Sequence, residues 1–167
     1  YTLKGLVREF PDIKCQQTYG MIEIGVLRSK SKSNDSLWVK LGGEGFKLRV
    51  VDGMLEVKSD FAMLGYLYFE NSFTEDGWFR TQDLVVKDGE YLKILGRHSD
   101  LINVGGEKVY PLEVENKILS FEGVVDVIVI GEPNPLLGSQ VAARVQVKEG
   151  LNEKEFKLKI KKKCVEE

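Results

Sequence analysis

The stretch GRHSDLINVGGEKVYPLEVE, Gly96 to Glu115, sets Arg97, His98 and Asp100 just ahead of a paired glycine. The Arg97 guanidinium is a planar fork of donors that matches phosphate or ribose oxygens. Asp100 is near enough in sequence to pair with it. Gly105 and Gly106 bare the backbone, so another molecule's chain can pass close to it. The plainer reading is a hairpin turn beside a surface ion pair, worth about 0–1 kcal/mol. His98 has no second histidine or cysteine near it and reads as a packing or surface residue, not a ligand.

Three further stretches hold candidate chemistry. QQTYGMIE, Gln16 to Glu23, puts an aromatic plane, Tyr19, and a carboxylate able to bind a metal, Glu23, on either side of a glycine. DGWFRTQDLV, Asp76 to Val85, places Arg80 and Asp83 across a polar turn between apolar residues. An ionised aspartate only accepts hydrogen bonds, so Asp83 suits a vicinal diol such as the 2′ and 3′ hydroxyls of ribose. GEPNPLLGSQVAA, Gly131 to Ala143, reads as a structural loop between strands. Taken singly, each of these is better explained by a strand end or surface turn than by a site.

These residues need elements to position them. From Met21 to Leu95 the pattern is one of short strands and turns. Asp52-Gly53 and Asp88-Gly89 each separate two β-rich runs, which predicts hairpins whose central residues take positive φ. LWVKL adds a strand, and SKSKSND, Ser29 to Asp35, reads as an exposed loop. The fold expected here is a small antiparallel β-barrel-like subdomain, residues 1–95. A compact α+β domain, residues 96–167, follows it. In the second part PLEVENKILSF predicts a helix with Pro111 in its first turn. VVDVIVIGEP predicts a central strand and QVAARVQVK a second strand. NEKEFKLKIKKKCVEE predicts a helix with Asn152 as N-cap and Leu158 on its apolar side.

Bulk properties exclude several classes. The chain has 167 residues, 43% apolar and 30% charged, with a formal net charge of −2. That balance gives no pull toward nucleic acid or an anionic membrane. No run reaches the length of a membrane span. The start, YTLKGLVREF, lacks the apolar centre of a signal peptide and an initial Met, so a longer parent protein is expected. Cys15 and Cys164, with a single histidine, fall short of a structural zinc site. Two free thiols in a reducing cytoplasm is the expectation.

In their order along the chain, YGMIE, GWFRTQD and GRHSDLINVGGEKVYPLEVE together resemble the adenylate-forming enzyme superfamily. It includes acyl-CoA synthetases, adenylation domains of nonribosomal peptide synthetases and luciferase. The resemblance runs from about Thr18 to the end, and VYPLEVE favours the acyl- or aryl-CoA ligase branch. It implies an ATP-dependent acid–thiol ligase that activates a carboxylic acid as acyl-AMP and passes it to the thiol of coenzyme A. The cofactors implied are ATP/AMP, Mg²⁺ and coenzyme A. The partners are the acid, CoA or a phosphopantetheine carrier, and the N-terminal remainder of the enzyme. Two alternatives stand beside it: a domain loading a carrier protein, and a non-catalytic nucleotide-binding relative.

The resemblance also implies roles. Tyr19 stacks on adenine, Glu23 helps bind Mg²⁺, Asp83 holds the ribose hydroxyls and Arg97 contacts the AMP ribose, Glu23 and Arg97 being the catalytic pair. Ser99 lies at the hinge between the end of the large domain and the small mobile domain, where the family commonly has Asp or Lys. Gly105 and Gly106 line the pantetheine channel, with Lys108 a candidate for the CoA 3′-phosphate. Ile22 stands where the family has a hydroxyl residue, and Gln82 where it has glycine. The phosphate-binding loop of the large domain and the C-terminal lysine are not in this sequence. Lys161, Lys162 and Lys163 do not match that lysine's place. The 167 residues alone are therefore expected to be inactive.

Overall fold

A computed structural model describes residues 2–70, 72–151 and 153–165. They form two compact units, Thr2–Ser99 and the part from Asp100 onward. The division falls slightly beyond the expected 95/96, because a strand ladder holds the chain to the first sheet as far as Arg97.

The first unit opens with a helix that the sequence reading did not anticipate, α1 (Thr2–Glu9). Seven strands follow: β1 (Tyr19–Met21), β2 (Gly25–Ser31), β3 (Val39–Gly42), β4 (Phe46–Val51), β5 (Met54–Ser59), β6 (Phe79–Asp88) and β7 (Tyr91–Arg97). They make one antiparallel sheet in the order β1-β2-β3-β7-β6-β5-β4. Among the described residues no ladder joins β1 to β4, so the sheet is open and not a closed barrel. Alternation turns one face of each strand inward. Val39, Leu41, Leu55, Val57, Phe79 and Leu92 meet there as a single core with Tyr19 and Ile24.

The Asp52-Gly53 hairpin forms as expected, with φ of 51° and 78°. The second hairpin turns one residue later. Asp88 pairs with Tyr91 inside the ladder, so the turn is Gly89-Glu90, and of Asp88 and Gly89 only the glycine has positive φ. Ser29 to Ser31, expected in a loop, extend β2 through pairing with β3. The polar turn expected around Arg80 and Asp83 is instead the interior of β6.

The second unit contains β8 (Ile102–Val104), β9 (Glu107–Val109), α2 (Pro111–Leu119), β10 (Val124–Asn134), β11 (Gly138–Val147) and α3 (Glu153–Val165). Pro111 opens α2, where its missing N–H costs nothing. The sheet order is β10-β11-β8-β9, which puts β10 at an edge and corrects the central placement read from its apolar run. The β8–β9 hairpin joins β11, while α2 packs beside β10 and Glu115 accepts a 2.8 Å hydrogen bond from Val129 N–H. Ile102, Ile118, Val124 and Val129 form the core, with Phe156 and Ile160 of α3 against it. Leu158, expected on the apolar side, is exposed. The loop expected over Gly131–Ala143 shrinks to a short turn after Asn134, since both strands run into it. The proposed Asn152 cap and the Cys164 thiol lie outside the described residues; Cys15 is a free thiol. No described helix is long and apolar enough to cross a membrane.

Candidate functional site

The site is built on β6. Phe79, Thr81 and Asp83 alternate inward, yet Leu84 and Val85 are both buried as well. Two irregularities break the period. Met54 and Glu56 of β5 pair with Leu84 and Arg80, so β6 carries surplus residues opposite Leu55. A second shift on β7 falls between the partners of Leu84 and Val85. Thr81-Gln82-Asp83 is therefore a bulge, a device that bends a strand and re-aims a side chain. Thr81 pins it: its hydroxyl donates to Leu55 O at 2.8 Å and accepts from Asp83 N–H at 3.1 Å.

Gln82 sits at the apex with φ 65°, the left-handed region that suits glycine. The β-carbon makes that conformation cost about 1–2 kcal/mol. Changing Gln82 to Gly removes the strain but loosens the unfolded chain by about 0.5–1 kcal/mol. Gln82→Gly should raise stability by up to about 1.5 kcal/mol, read by urea unfolding.

The bulge aims Asp83 inward, where it is 7% exposed. Its Oδ2 accepts a 2.6 Å hydrogen bond from the Tyr19 hydroxyl, which arrives from β1. Arg97 is the cross-strand partner of Asp83, and its Nε stands 3.7 Å from Oδ1, in ion-pair but not hydrogen-bond range. Burial first, and the Asp83 bond next, push the Tyr19 phenol well above its ordinary pKa, so it stays a neutral donor. The structure thus gathers Tyr19, Asp83 and Arg97 in one cluster within one unit. Arg97 faces Asp83 across the ladder.

Tyr19 depends on a close backbone approach at Gly20. A β-carbon there would lie 2.8 Å from both Gly25 O and Val26 Cα. Neither is a flexible side chain, so the β1–β2 hairpin would have to open. Gly20→Ala should cost about 1–3 kcal/mol, the usual range for overpacking, and lower the melting temperature of the chain.

Glu23 occupies the tight turn between β1 and β2. Ile24 beside it is fully buried and anchors the turn, while Ile22 points outward, 98% exposed. The Glu23 carbonyl accepts from Met63 N–H at 2.8 Å, and its Oε1 accepts from the Tyr66 hydroxyl at 2.7 Å. That second bond holds the Glu23 carboxyl below the ordinary carboxylate range, so it is ionised. No group of three or more acidic, histidine or cysteine side chains among the described residues is placed to hold a metal. Magnesium usually takes one or two carboxylates and completes its shell with phosphate and water, so a half-buried, ionised Glu23 fits one ligand position.

Ser99 lies in the short 3-10 turn His98–Asp100, at the end of the first unit. Gly105 and Gly106 belong to the second unit and make the two-residue turn from β8 to β9, with φ of 60° and 100°. Nothing lies within 4 Å of where a Gly106 β-carbon would be, so the bare backbone faces open space. Lys108 is exposed on β9 opposite Asn103.

Two features escaped the sequence reading. Tyr66 lies in a run of apolar residues with no periodicity to mark it as a partner of Glu23. The bulge did carry a signal, the polar triplet Thr81-Gln82-Asp83 inside a β-rich run.

No protein-family model matches the chain. It is 38% identical over 158 residues to the 2-succinylbenzoate–CoA ligase of Listeria monocytogenes, covering 88% of this chain and 33% of that enzyme. It is 48% identical over 92 residues to the human mitochondrial malonate–CoA ligase ACSF3, covering 53% of this chain and 16% of that one. Among solved structures, ATP-bound MatB from Rhodopseudomonas palustris superposes with a TM-score of 0.72 at 33% identity, covering 83% of this chain and 32% of that one. The chain thus spans about a third of the length of the curated relative it matches over most of its own length. These relationships place it in the adenylate-forming superfamily, on the acyl-CoA ligase branch.

Proposed function

We propose that the protein carrying this chain is an ATP-dependent acid–thiol ligase. A carboxylate oxygen of the acid attacks the α-phosphorus of ATP, the bond to the bridging oxygen breaks, and pyrophosphate leaves. The resulting acyl-AMP then loses AMP to the attacking thiol of coenzyme A, giving a thioester. The first step replaces hydroxide, a poor leaving group, with AMP.

The observation that carries this reading is the buried Asp83, fixed by Tyr19 and faced by Arg97. A carboxylate accepts at about four lone-pair sites, so one bond to Tyr19 leaves capacity for both ribose hydroxyls. Arg97, more exposed than Asp83, supplies donors to the sugar–phosphate side. The Tyr19 ring, expected to stack on adenine, is buried in the core of the sheet, so we assign Tyr19 to the nucleotide site through its hydroxyl on Asp83. Glu23, ionised and half-buried, is the Mg²⁺ ligand; when bound, the ion would offset the charge on the phosphates. We assign residues before Ser99 to the last subdomain of the large domain and those after it to the small mobile one. On that assignment the Gly105-Gly106 turn lies along the pantetheine arm, and Lys108 reaches the CoA 3′-phosphate. The free Cys15 thiol agrees with a reducing compartment such as the cytoplasm.

The test is pyrophosphate release and thioester formation by the full-length protein, with CoA or a phosphopantetheine carrier as acceptor. Malonate and 2-succinylbenzoate, named for the relatives, head a panel that also holds aromatic and aliphatic monoacids. ATP-dependent thioester on CoA is the expected result. Absence of pyrophosphate release with every acid, in protein that still binds ATP, would favour a non-catalytic relative. The 167-residue chain by itself should release none.

A further inference from the structure

We infer that the Tyr19 hydroxyl is a positioning group for the nucleotide sugar, one that acts by fixing the rotation of the Asp83 carboxylate. The inference rests on the proposed nucleotide site and assigns the hydroxyl a task separate from that of the ring. Thr81 already locks the backbone at Asp83, since its hydroxyl bridges Asp83 N–H and Leu55 O. What stays free is rotation of the carboxylate about its own side-chain bonds. Arg97 is poorly suited to restrain it, being 3.7 Å away with a side chain 58% exposed. Tyr19 is well suited. Its ring is buried in the core of the sheet, only 8% exposed, and its hydroxyl reaches Oδ2 at 2.6 Å across a sequence separation of 64 residues. Burial keeps that hydroxyl a neutral donor.

A rigid ring packed in a core loses little freedom when it makes such a bond, whereas two sugar hydroxyls must find both acceptor directions at once. With Oδ2 anchored, the other lone pairs of Asp83 are held in one orientation before the nucleotide arrives. A purely aromatic role for Tyr19 needs the ring and not the oxygen. The two roles therefore separate at Tyr19→Phe.

The experiment measures affinity of the full-length protein for ATP and for 2′,3′-dideoxy-ATP, with kcat alongside. Tyr19→Phe should weaken ATP by about two- to tenfold, the cost of ordering a carboxylate that the hydroxyl no longer holds, and change kcat by less than about twofold. Its affinity for the dideoxy nucleotide should equal that of the unaltered protein. 4-Aminophenylalanine at position 19, which restores a donor, should recover the preference for ATP. 4-Fluorophenylalanine fills the hydroxyl's volume without donating and serves where the phenylalanine variant does not fold. Equal weakening of both nucleotides, or no change with ATP, overturns the inference. A distinct result, no preference for ATP over dideoxy-ATP in the unaltered protein, would remove the ribose assignment of Asp83 and the inference with it.

Discussion

Asp83→Ala should lower the ATP affinity of the full-length protein by at least about a hundredfold. Each hydrogen bond to a charged group contributes about 1.5–3 kcal/mol, and two ribose hydroxyls share the carboxylate. Every 1.4 kcal/mol is about tenfold in affinity, so the loss of both bonds passes a hundredfold. Alanine also strands the buried Tyr19 hydroxyl, which costs about 1–3 kcal/mol of stability. Asp83→Asn separates the two effects, because its side-chain oxygen still accepts from Tyr19. That variant should fold like the unaltered protein, by circular dichroism and melting temperature, and still bind ATP poorly by calorimetry. Full ATP affinity in Asp83→Asn would show that the charge is not what grips the nucleotide.

Leu55→Ala should be the most damaging single truncation in the first unit. Leu55 is 0% exposed on β5, opposite the bulge, and its carbonyl accepts the Thr81 hydroxyl that pins Asp83. Truncating a buried leucine loses transfer free energy and leaves a cavity, together about 2–5 kcal/mol. For a unit of this size each kcal/mol is about 4–8 °C in melting temperature, so a fall of about eight degrees or more is expected by calorimetry. Leu64→Ala, at a fully exposed position, should change the melting of this chain by less than about 0.5 kcal/mol. Comparable losses at the two positions would mean that the core does not lie where the sheet places it.

Much was legible in the residues themselves. Alternating apolar runs, the Asp52-Gly53 turn, Pro111 ahead of an acidic helix and the paired glycines at 105 and 106 each rest on local rules of backbone geometry. Such rules act over a few residues, so they can be read along a chain without knowing its fold. Tyr19, Glu23, Asp83 and Arg97 could be named as candidates for a similar reason: their chemistry belongs to the side chain.

Their arrangement was not. Asp83 and Arg97 become neighbours because β6 and β7 pair in one register, and Tyr19 joins them because β1 lies in the same sheet. The bulge is invisible to a period-two reading, which would turn Leu84 or Val85 outward, whereas both are buried. The apolar run of β10 reads as a central strand, yet which strands share hydrogen bonds is set by where the β8–β9 hairpin docks. The sequence alone determined which groups could carry chemistry and where the hairpin turn at Asp52-Gly53 and the start of the helix at Pro111 would fall. Only the tertiary structure decided that a phenol is aimed at a carboxylate, because strand register and bulges are settled by packing between distant segments and not by local preference.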